Sequence, residues 1–96
     1  MILEAILLTI KPNENNAYEE NFKQASELIK KAKGYITHEL HKCIENENQY
    51  ILLIKWETYD NHMVDFRNSE DFVEWRRLLH DFYDPKPQVF HYHQVY

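Results

Sequence analysis

The stretch YITHELHKCIENENQYILLIKWE, Tyr35 to Glu57, decides the fold. It holds two strand-like runs, Tyr35 to Ile44 and Tyr50 to Glu57, joined by the polar Glu45-Asn46-Glu47-Asn48-Gln49. Two such runs with a short polar link fold back on one another as a hairpin. On the first of them, side chains two apart share a face, so Ile36, His38 and Leu40 form one row, and His41 points the other way.

Upstream of the hairpin stands Gly34, the only glycine in the chain. It ends a helix whose apolar stripe is Tyr18, Phe22, Ala25, Ile29 and Ala32, at spacings of four and three. Asn16 followed by Glu19 resembles an N-cap and its reciprocal partner, and Lys30, Lys31 and Lys33 suit the negative end of the helix dipole. Residues 2–10 are almost continuously apolar up to Lys11-Pro12 and read as a buried strand. Downstream, Asp60 to Phe66 reads as a short helix. Asn68-Ser69 caps a longer one with Phe72, Trp75, Leu79 and Phe82 on one side. Asp84-Pro85-Lys86-Pro87 stops it, and Val89 to Val95 forms a last strand. The order β-α-β-β-α-β predicts an α+β, ferredoxin-like domain over residues 1–96, a four-stranded antiparallel sheet with helices on one face.

The strands are apolar on both faces. In the first, Ile2, Ile6, Leu8 and Ile10 alternate with Leu3, Ala5 and Leu7; in the third, Leu52 and Ile54 alternate with Ile51 and Leu53. A solvated sheet face should be polar, so a second copy packed sheet on sheet is the economical expectation: a homodimer. At 96 residues a single core is marginal, and pairing would help it.

Composition narrows the function classes. A net charge of −5 disfavours nucleic acid. One glycine cannot build a phosphate-cradling loop or a dinucleotide fingerprint. The apolar opening MILEAILLTI contains Glu4 and lacks a basic start, so no signal peptide or membrane partner is expected of it. The lone Cys43 suits a reducing, cytoplasmic setting.

From Gly34 onward the chain resembles the antibiotic biosynthesis monooxygenase family. The likeness rests on the glycine before the second strand, the His38-Glu39-Leu40-His41 strand, the Lys55-Trp56-Glu57 strand end with its short helix, and the Asp84-Pro85-Lys86-Pro87 stop before a closing His91-Tyr92 strand. The resemblance implies a ferredoxin-like protomer pairing into a dimeric α+β barrel. It also implies a choice among cofactor-free oxygenases of phenols and quinols, haem-degrading enzymes, isomerases of small signalling sugars and members without known activity.

A cofactor-free oxygenase uses its substrate as the reductant: a deprotonated phenol gives an electron to O2, the radicals recombine, and the peroxide collapses to a quinone. The protein supplies a dry apolar pocket, a group that takes the phenolic proton, and donors toward the reduced oxygen. His38, on a largely apolar wall, is the candidate catalytic base. Trp56 at the end of the paired strand, and Phe66, Phe72, Trp75 and Leu79 as a helical lid, are the candidate substrate-binding residues, with Arg76 a donor at the rim. Each also has a packing explanation: a histidine on an apolar strand is commonly a satisfied core residue, aromatic stripes are ordinary core, and Arg76 and Arg77 suit a helix end. His62 and His80 read as surface residues, and Cys43 as inert.

The haem branch, as the resemblance implies, ligates iron through an asparagine on the first strand, a tryptophan on the short helix and a histidine on the longer one. Those places hold Ile6, Phe66 and Arg76, so no haem is expected. His91 and His93 share a strand face, but nothing in the spacing supplies a third ligand, so no metal is expected either. The reading is a cytoplasmic homodimeric monooxygenase acting with O2 on an aromatic phenol or quinol without a cofactor. The alternative is a non-catalytic or regulatory dimer that binds an apolar small molecule. An isomerase or hydrolase of a polar metabolite would want a more polar lid.

Overall fold

The computed structural model describes all 96 residues. Four strands, β1 (Ile2–Thr9), β2 (Tyr35–Lys42), β3 (Gln49–Trp56) and β4 (Val89–Tyr92), form one antiparallel sheet in the order β2-β3-β1-β4. Helices α1 (Asn15–Ile29) and α2 (Glu70–Leu79) cover one face, and a π-helical turn at Asn61–Phe66 links β3 to α2. This is the ferredoxin-like arrangement that the pattern predicts.

The core lies between that face and the helices. Leu8, Ile10, Leu52, Ile54 and Trp56 come up from the sheet to meet Tyr18, Ala25, Ile29 and Leu79, all essentially sealed from solvent. Each large apolar side chain so buried stabilises the fold by about 1.5–3 kcal/mol. Ser69 caps α2 as expected, its hydroxyl accepting from the Phe72 N–H at 3.1 Å.

Four local readings are corrected. Helix α1 starts at Asn15 with Glu14 in the cap position and no side-chain cap bond, so Asn16 lies inside the first turn and does not cap it, while Asn15 donates to the Glu47 carbonyl at 2.6 Å. The register of β2 against β3 slips between Tyr35 and Thr37. Tyr35 therefore lies opposite Trp56, while Ile36 is turned out to solvent rather than in line with His38. The last strand closes at Tyr92, so alternation carries His91 toward the helices but says nothing of His93. The short helix is not α-helical: the Arg67 N–H bonds the His62 carbonyl five residues back, at 3.2 Å.

That π turn is anchored at its start. Asn61 accepts from the Thr58 N–H at 3.1 Å and from the Thr58 hydroxyl at 2.8 Å, and donates to Asp65 at 3.1 Å. Gly34 makes room for it. Its φ is +80°, and a Cβ there would stand 2.0 Å from Asn61 Oδ1, so glycine is required on both counts.

Candidate functional site

Between sheet and α2 lies an open cavity of about 610 Å³. That is within the usual range for small-molecule sites. Its floor is the helix-facing row of β1, Glu4, Ile6 and Leu8, continued by Leu52 and Ile54. Its lid is aromatic: Phe66 packs edge-on against Phe72 at 5.5 Å and Trp75 at 6.0 Å between ring centroids. Arg67, Arg76 and Lys86 stand at the mouth, and none of them has a carboxylate partner. Arg76 instead lies 3.4 Å from the His80 ring, and Lys86 donates to the His80 carbonyl at 2.8 Å. Burial first, then the charges of Lys86 and Arg76, hold His80 below its ordinary pKa.

Five of the residues singled out from sequence, Phe66, Phe72, Trp75, Arg76 and Leu79, line this cavity together. Trp56 and His38 do not. Trp56 is fully buried behind it, and His38 sits opposite Ile54 toward the β2 edge. There His38 Nδ1 is 2.6 Å from the Tyr35 hydroxyl, and the ring packs on Phe22 at 5.9 Å. Burial, then the charge of Lys30, holds its pKa below the ordinary histidine value.

The ionisable groups at the cavity are ones the sequence reading passed over. Glu4 is 3% exposed, its Oε1 accepting from Trp56 Nε1 at 2.9 Å. Burial pushes its carboxyl up to about 7, against the opposing pull of that hydrogen bond and of Arg67. His62, expected at the surface, is 4% exposed. The π turn delivers it inward, where its ring stacks on Trp56 at 5.3 Å with 24° between planes. Its Nε2 lies 3.5 Å from Glu4 Oε2, and its Nδ1 is 2.7 Å from His91 Nε2. Burial, reinforced by His91 and Arg67, pushes the His62 pKa down to about 3. At neutral pH the ring is uncharged, and Glu4 stands at the balance point between acid and carboxylate.

The signal for Glu4 was present: it falls in phase with Ile2, Ile6, Leu8 and Ile10, an acid on the inward row of a buried strand. Nothing local marks His62, whose partners come from β1 and β4.

The arrangement also bears on metals and haem. His62 spends its two nitrogens on partners at opposite sides, so Glu4, His62 and His91 form a chain rather than converge. No three His, Cys, Asp or Glu side chains are placed to hold one ion. Ile6, Phe66 and Arg76 do meet at the cavity, and an aliphatic chain, a phenyl ring and a guanidinium offer haem iron no ligand.

Known proteins place the chain. A protein of Bacillus subtilis (strain 168), the uncharacterised YczJ, is 45% identical over 95 residues, covering 99% of this chain and all of its own. A Bordetella bronchiseptica protein, described as a candidate antibiotic biosynthesis monooxygenase, has a crystal structure that superposes with a TM-score of 0.93 at 40% identity, covering 99% of this chain and 97% of that one. SnoaB from Streptomyces nogalater, a cofactor-independent oxygenase, shares the fold at a TM-score of 0.86 with 13% identity, over 99% of this chain and 93% of its own. The model of the family described as antibiotic biosynthesis monooxygenase matches residues 1–78, so the chain belongs to the antibiotic biosynthesis monooxygenase family.

Proposed function

We propose that this protein is a cofactor-independent monooxygenase that oxidises an aromatic phenol or quinol with O2. The observation that carries the reading is a carboxyl group balanced near neutrality on the floor of a cavity under an aromatic lid: Glu4 beneath Phe66, Phe72 and Trp75. A phenol has a pKa of about 10, and a nearby base, with cations to favour the phenolate, brings its ionisation within reach. Glu4 as carboxylate takes the phenolic proton, and Arg67, Arg76 and Lys86 at the mouth stabilise the anion and the reduced oxygen. The phenolate gives one electron to O2, and radical recombination forms a carbon–oxygen bond. The peroxide anion takes back the proton held by Glu4, and the resulting hydroperoxide loses water as its O–O bond and the ring C–H bond at the same carbon break, leaving the quinone carbonyl. One oxygen atom ends in the quinone and the other in water, and the substrate supplies every electron. Ile6, Phe66 and Arg76, where haem-degrading relatives carry iron ligands, support a mechanism without haem.

The test is oxygen uptake by protein purified without a histidine tag, against a panel of hydroquinones and anthrones, with 18O2 to follow the label. The expected result is one O2 consumed and one labelled oxygen per quinone formed. Saturable binding of the panel with no oxygen uptake would instead support the non-catalytic binding dimer. His38 remains the rival base, and two variants separate the candidates. Glu4→Gln should lower turnover about 100-fold or more, a usual size for loss of a general base, and His38→Ala should leave it within a few-fold; the reverse pattern returns the role to His38.

The outer sheet face supports the homodimer. Leu7, Phe90 and Tyr92 are 64%, 55% and 54% exposed beside a groove of about 910 Å³ that Leu3, Ala5 and Ile51 also line. A second copy covering this face would remove that apolar surface from water and complete the α+β barrel. Light scattering at micromolar concentration should give twice the 11.8 kDa chain mass; a monomer would count against the barrel. No helix is long and apolar enough to cross a membrane, and a lone cysteine agrees with a cytoplasmic setting.

A further inference from the structure

We propose that Glu4, His62 and His91 form a proton path between the floor of the cavity and solvent, in which both imidazoles relay the proton by changing tautomer. The geometry begins with pairing in the sheet. Glu4 and His91 are direct neighbours across β1 and β4, and the π turn lowers His62 between them. Glu4 Oε2 is 3.5 Å from His62 Nε2, a gap that a small swing of the carboxyl closes, and His62 Nδ1 is 2.7 Å from His91 Nε2. Glu4 and His62 are sealed from bulk water, whereas His91 is only partly covered, with Tyr59 edge-on at 4.7 Å. The chain of groups therefore runs from inside to outside.

Hydrogen-bond arithmetic then fixes what the chain can do. A neutral imidazole has one N–H and one lone pair. When Glu4 is protonated, its O–H donates to His62 Nε2, and His62 Nδ1–H donates to His91 Nε2. When Glu4 is a carboxylate, both directions reverse: His62 Nε2–H donates to Glu4, and His91 Nε2–H donates to His62 Nδ1. Passing from the first state to the second moves the Glu4 proton to His62 Nε2, the His62 Nδ1 proton to His91 Nε2, and the His91 Nδ1 proton to water. Three bonds to hydrogen form inside or outside the chain as three break, one proton is released, and no imidazolium is left behind. That matters because the groups facing His62 are Glu4 from β1, Trp56 from β3, His91 from β4 and the cation Arg67 beyond the π turn, so burial and Arg67 both penalise a charged ring. Around Glu4 the Trp56 N–H and Arg67 favour the anion, joined by the His62 N–H in the second state; around His91 the facing groups are His62, Glu4, Tyr59 and Arg67.

In catalysis, which rests on Glu4 as the base, the path would convert enzyme that has bound substrate over a protonated Glu4 into the active carboxylate while the substrate still covers the cavity floor. The test needs no substrate, so its failure is separate from failure of the oxygenase reading. Protein labelled with 15N at histidine is titrated from pH 5 to 9, and the ring nitrogens of His62 are followed by NMR. The proposal expects His62 to pass from the Nδ1–H to the Nε2–H tautomer as Glu4 ionises, with no imidazolium. In Glu4→Gln, whose amide oxygen can still accept from Trp56, the switch should vanish while the spectrum stays that of a folded protein. A His62 that keeps one tautomer across the range, that becomes charged within it, or that switches unchanged in Glu4→Gln would overturn the path. The tautomer switch without oxygen uptake would leave the path standing and remove the oxygenase.

Discussion

The two ends of the helix-facing sheet bury polar groups to opposite effect. At one end, where Leu8 pairs with Tyr50, three tyrosines meet: Tyr18 and Tyr83 share a hydrogen bond at 3.1 Å, and Tyr50 donates to Glu19 at 2.5 Å. At the other, where Ile2 pairs with Trp56, stand Glu4, His62 and His91. Burial disfavours charge in both places. For phenols, already neutral, it only moves ionisation further from reach: Tyr50 and Tyr83 rise to about 12, and Tyr18 is raised further. For a carboxyl the same physics brings ionisation to about 7. One end becomes a fixed scaffold and the other a site that can take up and release a proton.

The largest expected difference between the ends is in stability against pH. The folded-state pKa of His62 is depressed from 6.5 to about 3, so its contribution is present above 6.5 and lost as pH falls toward 3, roughly 4–5 kcal/mol in all. Glu4 has the opposite sign. Its pKa is raised from 4.5 to about 7, so its contribution is complete below 4.5 and lost as pH rises through 7, about 3 kcal/mol. Urea midpoints should therefore show His62→Gln gaining on the wild type as the solution is acidified below 6.5, and Glu4→Gln gaining on it between pH 4.5 and 7. Parallel curves for all three proteins would remove the contrast. The tyrosine end should give a smaller effect with no pH dependence near neutrality. Tyr18→Phe leaves Tyr83 without its partner and should cost about 1–2 kcal/mol, with oxygen-dependent turnover within a few-fold of the wild type. A loss of turnover beyond that would make the tyrosine end part of the site.

The sequence made the scaffold legible and the titrating end illegible for a physical reason. Strand and helix patterns are local, so the hairpin, α1, α2 and the cavity lid of Phe66, Phe72, Trp75 and Leu79 could be read from spacing. The Ile36 reading failed because a bulge changes phase without leaving a mark in composition. His62 read as exposed because the turn carrying it is π-helical and its partners come from β1 and β4. His38 drew attention as the histidine on an apolar strand, yet the contacts it finds are Tyr35 and Phe22. Glu4, the acid in a row of isoleucines and leucines, was the visible sign.

The most direct test of Glu4 as the base is the pH dependence of kcat/KM for oxygen-dependent turnover of a quinol, in the wild type and in Glu4→Gln. A base active as the carboxylate should make kcat/KM rise with pH through a single ionisation near 7 and level off above it. In Glu4→Gln the residual rate should be lower by about 100-fold or more and lack that ionisation. A wild-type profile that is flat from pH 5 to 9, or one that Glu4→Gln reproduces unchanged, would contradict the assignment.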